Sequence, residues 1–189
     1  MLDLFGQFEI KEEIKSPRQL VFKEIGIKTA LICFDRWHYL GNGLVISSIN
    51  YGAYFNGEIE GAICFGPTNA TEFVDLWDRD SQLGWWEIKR LAMSERCPKN
   101  SESRFIGKTI KMLKLLFLVK GIVTYADTSQ NHTGVIYRAT GFRYLGLTKQ
   151  KNDFVVNGKI KQRGKTKGID GVWVKRSLKH VYIKEFANV

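Results

Sequence analysis

The run Asp127-Thr128-Ser129-Gln130-Asn131-His132, followed one short helix later by Tyr137, places a carboxylate, an imidazole and a phenol in one stretch of chain. These side chains accept, relay and donate protons, so the pattern suits general acid–base work. Ahead of it, Ile122, Val123, Tyr125 and Ala126 form a short apolar, β-branched and aromatic run, which predicts a strand ending abruptly at Asp127. Thr133 to Ala139 predicts a short helix stopped by Gly141. The polar residues therefore fall at the carboxyl end of a strand, where open α/β sheets place ligands. A loop rich in Ser, Thr and Asn is otherwise an ordinary connector.

Three further groups carry chemistry. Trp86, Ile88, Arg90 and Ala92 alternate along Trp85 to Ala92, which predicts a strand with Arg90 among apolar neighbours. Such an arginine needs a partner, either a carboxylate in a salt bridge or an anionic or carbonyl oxygen that it clamps. A long helix is predicted from about Ser101 to Leu118, with Ser101 as its N-cap and Gly121 as its stop. Lys99, Ser101 and Ser103 surround its first-turn amides and offer an anion pocket for a phosphate or carboxylate, although capping alone also explains the serines. His38 and Tyr39 precede the turn Leu40-Gly41-Asn42-Gly43, so they belong at the edge of an element and not in mid-core.

The elements that must position these groups read as a mixed α/β (α+β) domain. Residues 17–39 predict one or two helical pieces broken at Gly26, and residues 44–55 predict a strand. Asn56-Gly57 turns that strand into its neighbour at Ile59 to Phe65. An acidic excursion follows through Glu72, Asp75, Asp78 and Asp80. Phe142 to Leu147 predicts another strand, Asn157-Gly158 a second hairpin, and Val172 to Val174 and His180 to Phe186 the terminal strands. No linker divides the 189 residues, which predicts a single domain with a core of about 17–147 and a basic C-terminal β-hairpin extension of about 148–189.

The formal charge of +10 suggests a polyanionic partner, because folding does not require it. The charge concentrates late in the chain, with Lys159, Lys161, Arg163, Lys165 and Lys167 at its centre and only Asp153 and Asp170 opposing it nearby. Nucleic acid is the expected partner. Three cysteines without a CxxC pair predict reduced thiols in a cytoplasmic protein. The N-terminal residues lack a signal-peptide pattern and no apolar stretch is long enough for a bilayer, so no membrane association is expected. Oligomeric state leaves no signature.

Strand, strand, strand, long helix, strand, helix, strand over residues 44–147 resembles the order of the GNAT acyltransferase superfamily. Trp86-Glu-Ile-Lys-Arg-Leu-Ala, Pro98-Lys-Asn-Ser-Glu-Ser and the run from Tyr125 through Phe142 together resemble the Mom family of bacteriophage DNA-modification proteins. The resemblance implies a transferase that converts adenine in double-stranded DNA to carbamoylmethyl-adenine, shielding phage DNA from host restriction in the host cytoplasm. His38, Tyr39, Arg90, Ser103, Asp127 and Tyr137 are similar to family positions implicated in activity, and His38, Tyr39 and Asp127 to positions associated with bound iron. GNAT enzymes cradle the acyl-CoA pyrophosphate with an Arg/Gln-x-x-Gly-x-Gly/Ala turn. Here that turn is Arg96-Cys-Pro-Lys-Asn-Ser, without glycine, which argues against acetyl-CoA and leaves the group donor open. The rival expectations are an acetyl-CoA-dependent N-acetyltransferase acting on a protein or small amine, and a DNA-binding protein with an inactive site.

Overall fold

Ser16 begins with a capping box: its hydroxyl accepts from the Arg18 amide, the Gln19 side chain accepts from the Ser16 amide, and Pro17–Gln19 tightens into a turn of 3-10 helix. The computed structural model describes residues 12–41, 43, 45–68, 83–160 and 168–186. After the turn, Val21–Glu24 is a strand (β1), not the first of two helical pieces, because β-branched and aromatic side chains here pair against a neighbouring strand. Phe22 stacks on Phe105 with ring centroids 5.0 Å apart. Gly26 does interrupt the segment, and α1 (Ile27–Trp37) starts directly after it.

The sheet is built next. β2 spans Ile49–Phe55 and β3 Glu58–Pro67, so the predicted strand from residue 44 begins later, at Ile49. Asn56 (φ 48°) and Gly57 (φ 84°) both take the left-handed conformation that a two-residue hairpin turn requires. β4 (Trp85–Met93) leads into α2 (Ser101–Leu116), and β5 (Gly121–Asp127) leads through a 3-10 turn at Thr128–Gln130 into α3 (Val135–Ala139). Gly121 opens β5 and does not stop the helix. A Cβ there would lie 2.5 Å from the Trp85 ring, so the close approach of β4 requires glycine.

β6 (Arg143–Leu147), β7 (Asn152–Val156), β8 (Lys159–Ile160), β9 (Val172–Lys175) and β10 (Lys179–Glu185) complete the fold. The main sheet runs β1-β2-β3-β4-β5-β10-β6, and among the described residues its only parallel pair is β4 with β5. A small sheet, β8-β7-β9, grows from the end of the β6–β10 ribbon, where the Thr148 amide donates to the Lys179 carbonyl. Lys161, Arg163, Lys165 and Lys167 of the basic extension lie outside the described residues, as do the acidic residues from Glu72 to Asp80.

The helices cover opposite faces of the main sheet. α1 buries Ala30, Cys33 and Phe34 against Ala62, Cys64 and Ala92. α2 buries Phe105, Ile106, Ile110 and Leu113 against Tyr51, Ile63, Phe65, Ile88 and Ile122. Ile88 and Ala92 thus serve different faces, contrary to the simple alternation. The register shift between Cys64 and Phe65 sets Ile88 opposite Phe65 but Arg90 opposite Cys64, and this bulge turns Arg90 toward α1.

The link from β4 to α2 is pinned by a charge pair. Glu60 is 2% exposed and accepts from the Ser94 hydroxyl and, at 2.6 Å, from Arg96, which also reaches Glu58 and the Glu12 carbonyl. Arg96→Ala leaves the Glu60 carboxylate buried without its cation and is expected to cost about 3 kcal/mol. Chemical denaturation checks this; a cost near that of an ordinary surface substitution contradicts it.

Candidate active site

β4 and β5 are hydrogen-bonded only from Trp85–Gly121 to Glu87–Val123, although β4 continues to Met93 and β5 to Asp127. Beyond Glu87 the two strands part, and a cleft of about 520 Å³ opens at the gap. His38, Tyr39, Arg90, Asp127 and Tyr137 all line it. The sequence-predicted acid–base residues are therefore brought to one place from α1, β4, β5 and α3.

Asp127 is the fixed point. Its Oδ1 accepts from the Ser129 amide (2.9 Å) and hydroxyl (2.8 Å), capping the 3-10 turn, while Oδ2 accepts from the Tyr39 hydroxyl at 3.2 Å. Burial alone pushes its acidity the other way, but the Ser129 bonds, Ser177 and Lys179 outweigh it and hold the carboxyl below the ordinary range. Asp127 is thus an ionised anchor and a weak base. The Tyr39 phenol is pushed up to about 12, first by burial and then by the Asp127 carboxylate, so it stays protonated and donates.

His38 stacks on Tyr39 with centroids 4.6 Å apart, and its Nδ1 accepts from the Leu40 amide at 3.1 Å. Burial first, then the cations Arg90 and Lys179 and the neighbouring His132, push its imidazole down to about 4. It is neutral at physiological pH. Arg90 is 9% exposed, and in place of a carboxylate it meets backbone carbonyl oxygens. Its Nη1 donates to the Gly41 carbonyl (2.7 Å) and the Gly43 carbonyl (3.2 Å), and its guanidinium lies 5.4 Å from the Phe34 ring centroid. Arg90 thereby ties down the turn that presents His38 and Tyr39.

Lys99, Ser101 and Ser103 lie apart from this cleft, in an adjoining groove that shares Met93, Glu102, Val135 and Ile136 with it. Asn100, in the left-handed conformation, is the helix N-cap, so Ser101 is the first helical residue. The Ser101 hydroxyl donates to the Pro98 carbonyl (2.7 Å) and the Ser103 hydroxyl to the Asn100 carbonyl (3.0 Å). Both serines are committed to backbone. The Ser101 amide is also taken, by the Pro98 carbonyl at 3.1 Å.

Glu102, Lys179 and Thr124 escaped sequence reasoning. Glu102 reaches the cleft from the first turn of α2. Lys179 lies in the basic C-terminal part of the chain, and its register opposite Asp127 carries it into the cleft. His132, recognised in the polar run, presents its ring edge to Tyr39 at 6.0 Å between centroids.

Among the described residues no three His, Cys, Asp or Glu side chains gather into a metal cluster. A neutral imidazole, an ionised carboxylate and a phenol do share one wall, a mixed donor set compatible with iron once the phenol loses its proton. Among the described residues no helix is long and apolar enough to cross a membrane.

The Mom protein family matches residues 19–186 of the chain. The methylcarbamoylase mom of Escherichia phage Mu is 27% identical over 114 residues, an alignment covering 58% of this chain and 46% of that protein. The chain thus aligns with less than half of that relative's length. A GNAT family acetyltransferase from Elizabethkingia anophelis with acetyl-CoA bound is 18% identical, at a TM-score of 0.55, covering 89% of this chain and 99% of the other. A GNAT family acetyltransferase from Streptococcus pneumoniae is 12% identical, at a TM-score of 0.56, covering 88% and 99%. At these identities the structures show a shared GNAT fold.

Gly134 sets the entry of α3 and hence Tyr137. At φ 68° a Cβ there would lie 2.2 Å from the Tyr182 ring, whose hydroxyl is bonded to the Thr133 carbonyl. Gly134→Ala is expected to destabilise the fold by more than about 1 kcal/mol, since strain at positive φ adds to the clash. A melting temperature equal to wild type contradicts this.

Proposed function

The chain belongs to the Mom protein family, and from that premise we infer that it is a DNA-modifying transferase that carbamoylmethylates adenine in double-stranded DNA. The observation that carries this reading is the convergence of His38, Tyr39, Arg90, Asp127 and Tyr137 on one cleft between β4 and β5. The exocyclic amine of adenine is a poor nucleophile, because its lone pair is delocalised into the ring. A new bond from that nitrogen to the donor's carbon therefore requires departure of the donor's leaving group and loss of one N–H proton.

Asp127 accepts a hydrogen bond from the amine and orients it, while Tyr137, buried at the cleft wall, relays the departing proton. Arg90 offers positive charge to the leaving group while holding the Gly41 and Gly43 carbonyls in place. His38, Tyr39 and Asp127 would hold an iron ion, which would supply Lewis acidity beside the amine. The base reaches this cleft by flipping out of the duplex, since its amine is inaccessible inside the stack.

The basic C-terminal segment is assigned to the phosphate backbone. The small sheet presents Val172, Trp173 and Val174 to solvent, 63%, 61% and 47% exposed, beside Lys175 and Arg176. Aromatic and basic side chains mixed in this way suit a nucleic-acid surface. Acetyl-CoA-dependent acetyl transfer is the second reading, favoured by the shared fold. It is weakened by Lys99, Asn100 and Ser101 in place of a glycine-rich turn and by the committed Ser101 amide.

In cells expressing the protein, nucleosides from total DNA should contain carbamoylmethyl-adenine by mass spectrometry, and His38→Ala and Asp127→Ala should each abolish it. Modification that persists in Asp127→Ala contradicts the site assignment. Tight acetyl-CoA binding with no modified nucleoside supports the second reading. Replacing Lys161, Arg163, Lys165 and Lys167 by Ala should weaken duplex binding and flatten its salt dependence, with each lost phosphate contact lowering the slope by about 0.9. Unchanged affinity and slope move the DNA surface elsewhere.

A further inference from the structure

Thr124 sits in the middle of β5 and is fully buried, yet its Oγ1 has no hydrogen-bond partner. Its neighbours at the two flanking same-face positions, Ile122 and Ala126, belong to the core packed beneath α2 and α3. A buried orphan hydroxyl destabilises a fold, and valine occupies the same shape on a strand without that penalty. Packing therefore gives no reason for threonine here. Such a local violation of stability is expected where function demands the group.

Tyr137 packs in the same core cluster as Ile122 and Ala126, on the face of β5 that Thr124 shares, and its phenol responds to the Thr124 hydroxyl. Tyr137 is 8% exposed, with its ring held against Phe142 at 5.9 Å and Tyr182 at 5.6 Å between centroids, and it lines the cleft. The ring is thus confined by packing, whereas the hydroxyl rotor is not. A phenol oxygen carries one proton and can accept from a donor behind it.

We propose that Thr124 is a positioning residue for Tyr137: in the working site its Oγ1–H donates to the Tyr137 phenol oxygen, leaving the phenol proton directed into the cleft. This rests on the assignment of Tyr137 as a proton relay in the proposed reaction. Burial raises the pKa of the Tyr137 phenol and the Thr124 hydroxyl opposes that rise, the direction a donated hydrogen bond gives. Thr124 completes the relay from the side opposite the substrate, so the gap between β4 and β5 is served by residues of both sheet faces.

Thr124→Val and Thr124→Ser, with wild type and Tyr137→Phe, decide the matter through three readouts. The first is the carbon-13 resonance of the tyrosine ring carbon bearing the hydroxyl, assigned to Tyr137 by its loss in Tyr137→Phe. The second is the melting temperature of the purified protein, and the third is modified adenine in DNA from cells with limiting expression. Thr124→Val is expected to melt at or above the wild-type temperature, to shift the Tyr137 resonance, and to lower modification roughly tenfold, the loss of one ordinary hydrogen bond. Thr124→Ser should restore both the resonance and the modification. An unmoved Tyr137 resonance in Thr124→Val, or modification equal to wild type, overturns the proposal. Should wild type itself yield no modified adenine, the proposed reaction fails, while the resonance still decides the Thr124–Tyr137 bond independently.

Discussion

The structure depends on a parallel strand pair that is bonded at one end and open at the other. β4 and β5 share register only from Trp85–Gly121 to Glu87–Val123. A parallel pair needs a crossover, here α2, which leaves from the carboxyl end of β4 and returns the chain to the start of β5. The start of α2 and the polar ends of both strands are therefore delivered to the open end together. The gap interrupts the sheet between its faces, so groups carried by α1 and groups carried by α3 meet in one cleft.

Within that cleft the protonation states are set by mutual environment. Asp127 is held ionised by Ser129 and its neighbours, and that carboxylate in turn keeps Tyr39 protonated. His38 is kept neutral by burial and by nearby cations. The site thus offers an anionic acceptor, phenolic donors and a neutral nitrogen at physiological pH, with Arg90 as a cation whose hydrogen bonds go to the Gly41 and Gly43 carbonyls. Removing one member perturbs the others, so substitutions in this group are expected to be non-additive.

Local signals in the sequence revealed most elements. The Asn-Gly hairpins, the polar run after β5 and the glycine after α3 each have short-range causes, and the structure reproduces them. The misread elements have tertiary causes. β1 is a strand because β2 offers an edge, Ser101 is not the cap because Asn100 takes the left-handed conformation, and Gly121 answers to the Trp85 ring. Arg90 was visible as buried but not its direction, since one bulge against β3 decides the face. The family resemblance alone linked Tyr39 with Asp127, because no local pattern encodes a contact made across the sheet. Lys179 and Thr124 had no such pointer; strand pairing places the first and burial distinguishes the second.

The central claim is that the gap between β4 and β5 receives an adenine extruded from duplex DNA. A crystal structure of the protein bound to a duplex with an unpaired adenine opposite an abasic site tests it most directly. The account predicts electron density for the extruded base in the cleft, with its exocyclic amine facing Asp127 and the duplex backbone against the basic C-terminal segment. An adenine that stays stacked in the helix, or that binds away from Arg90 and Asp127, contradicts the account.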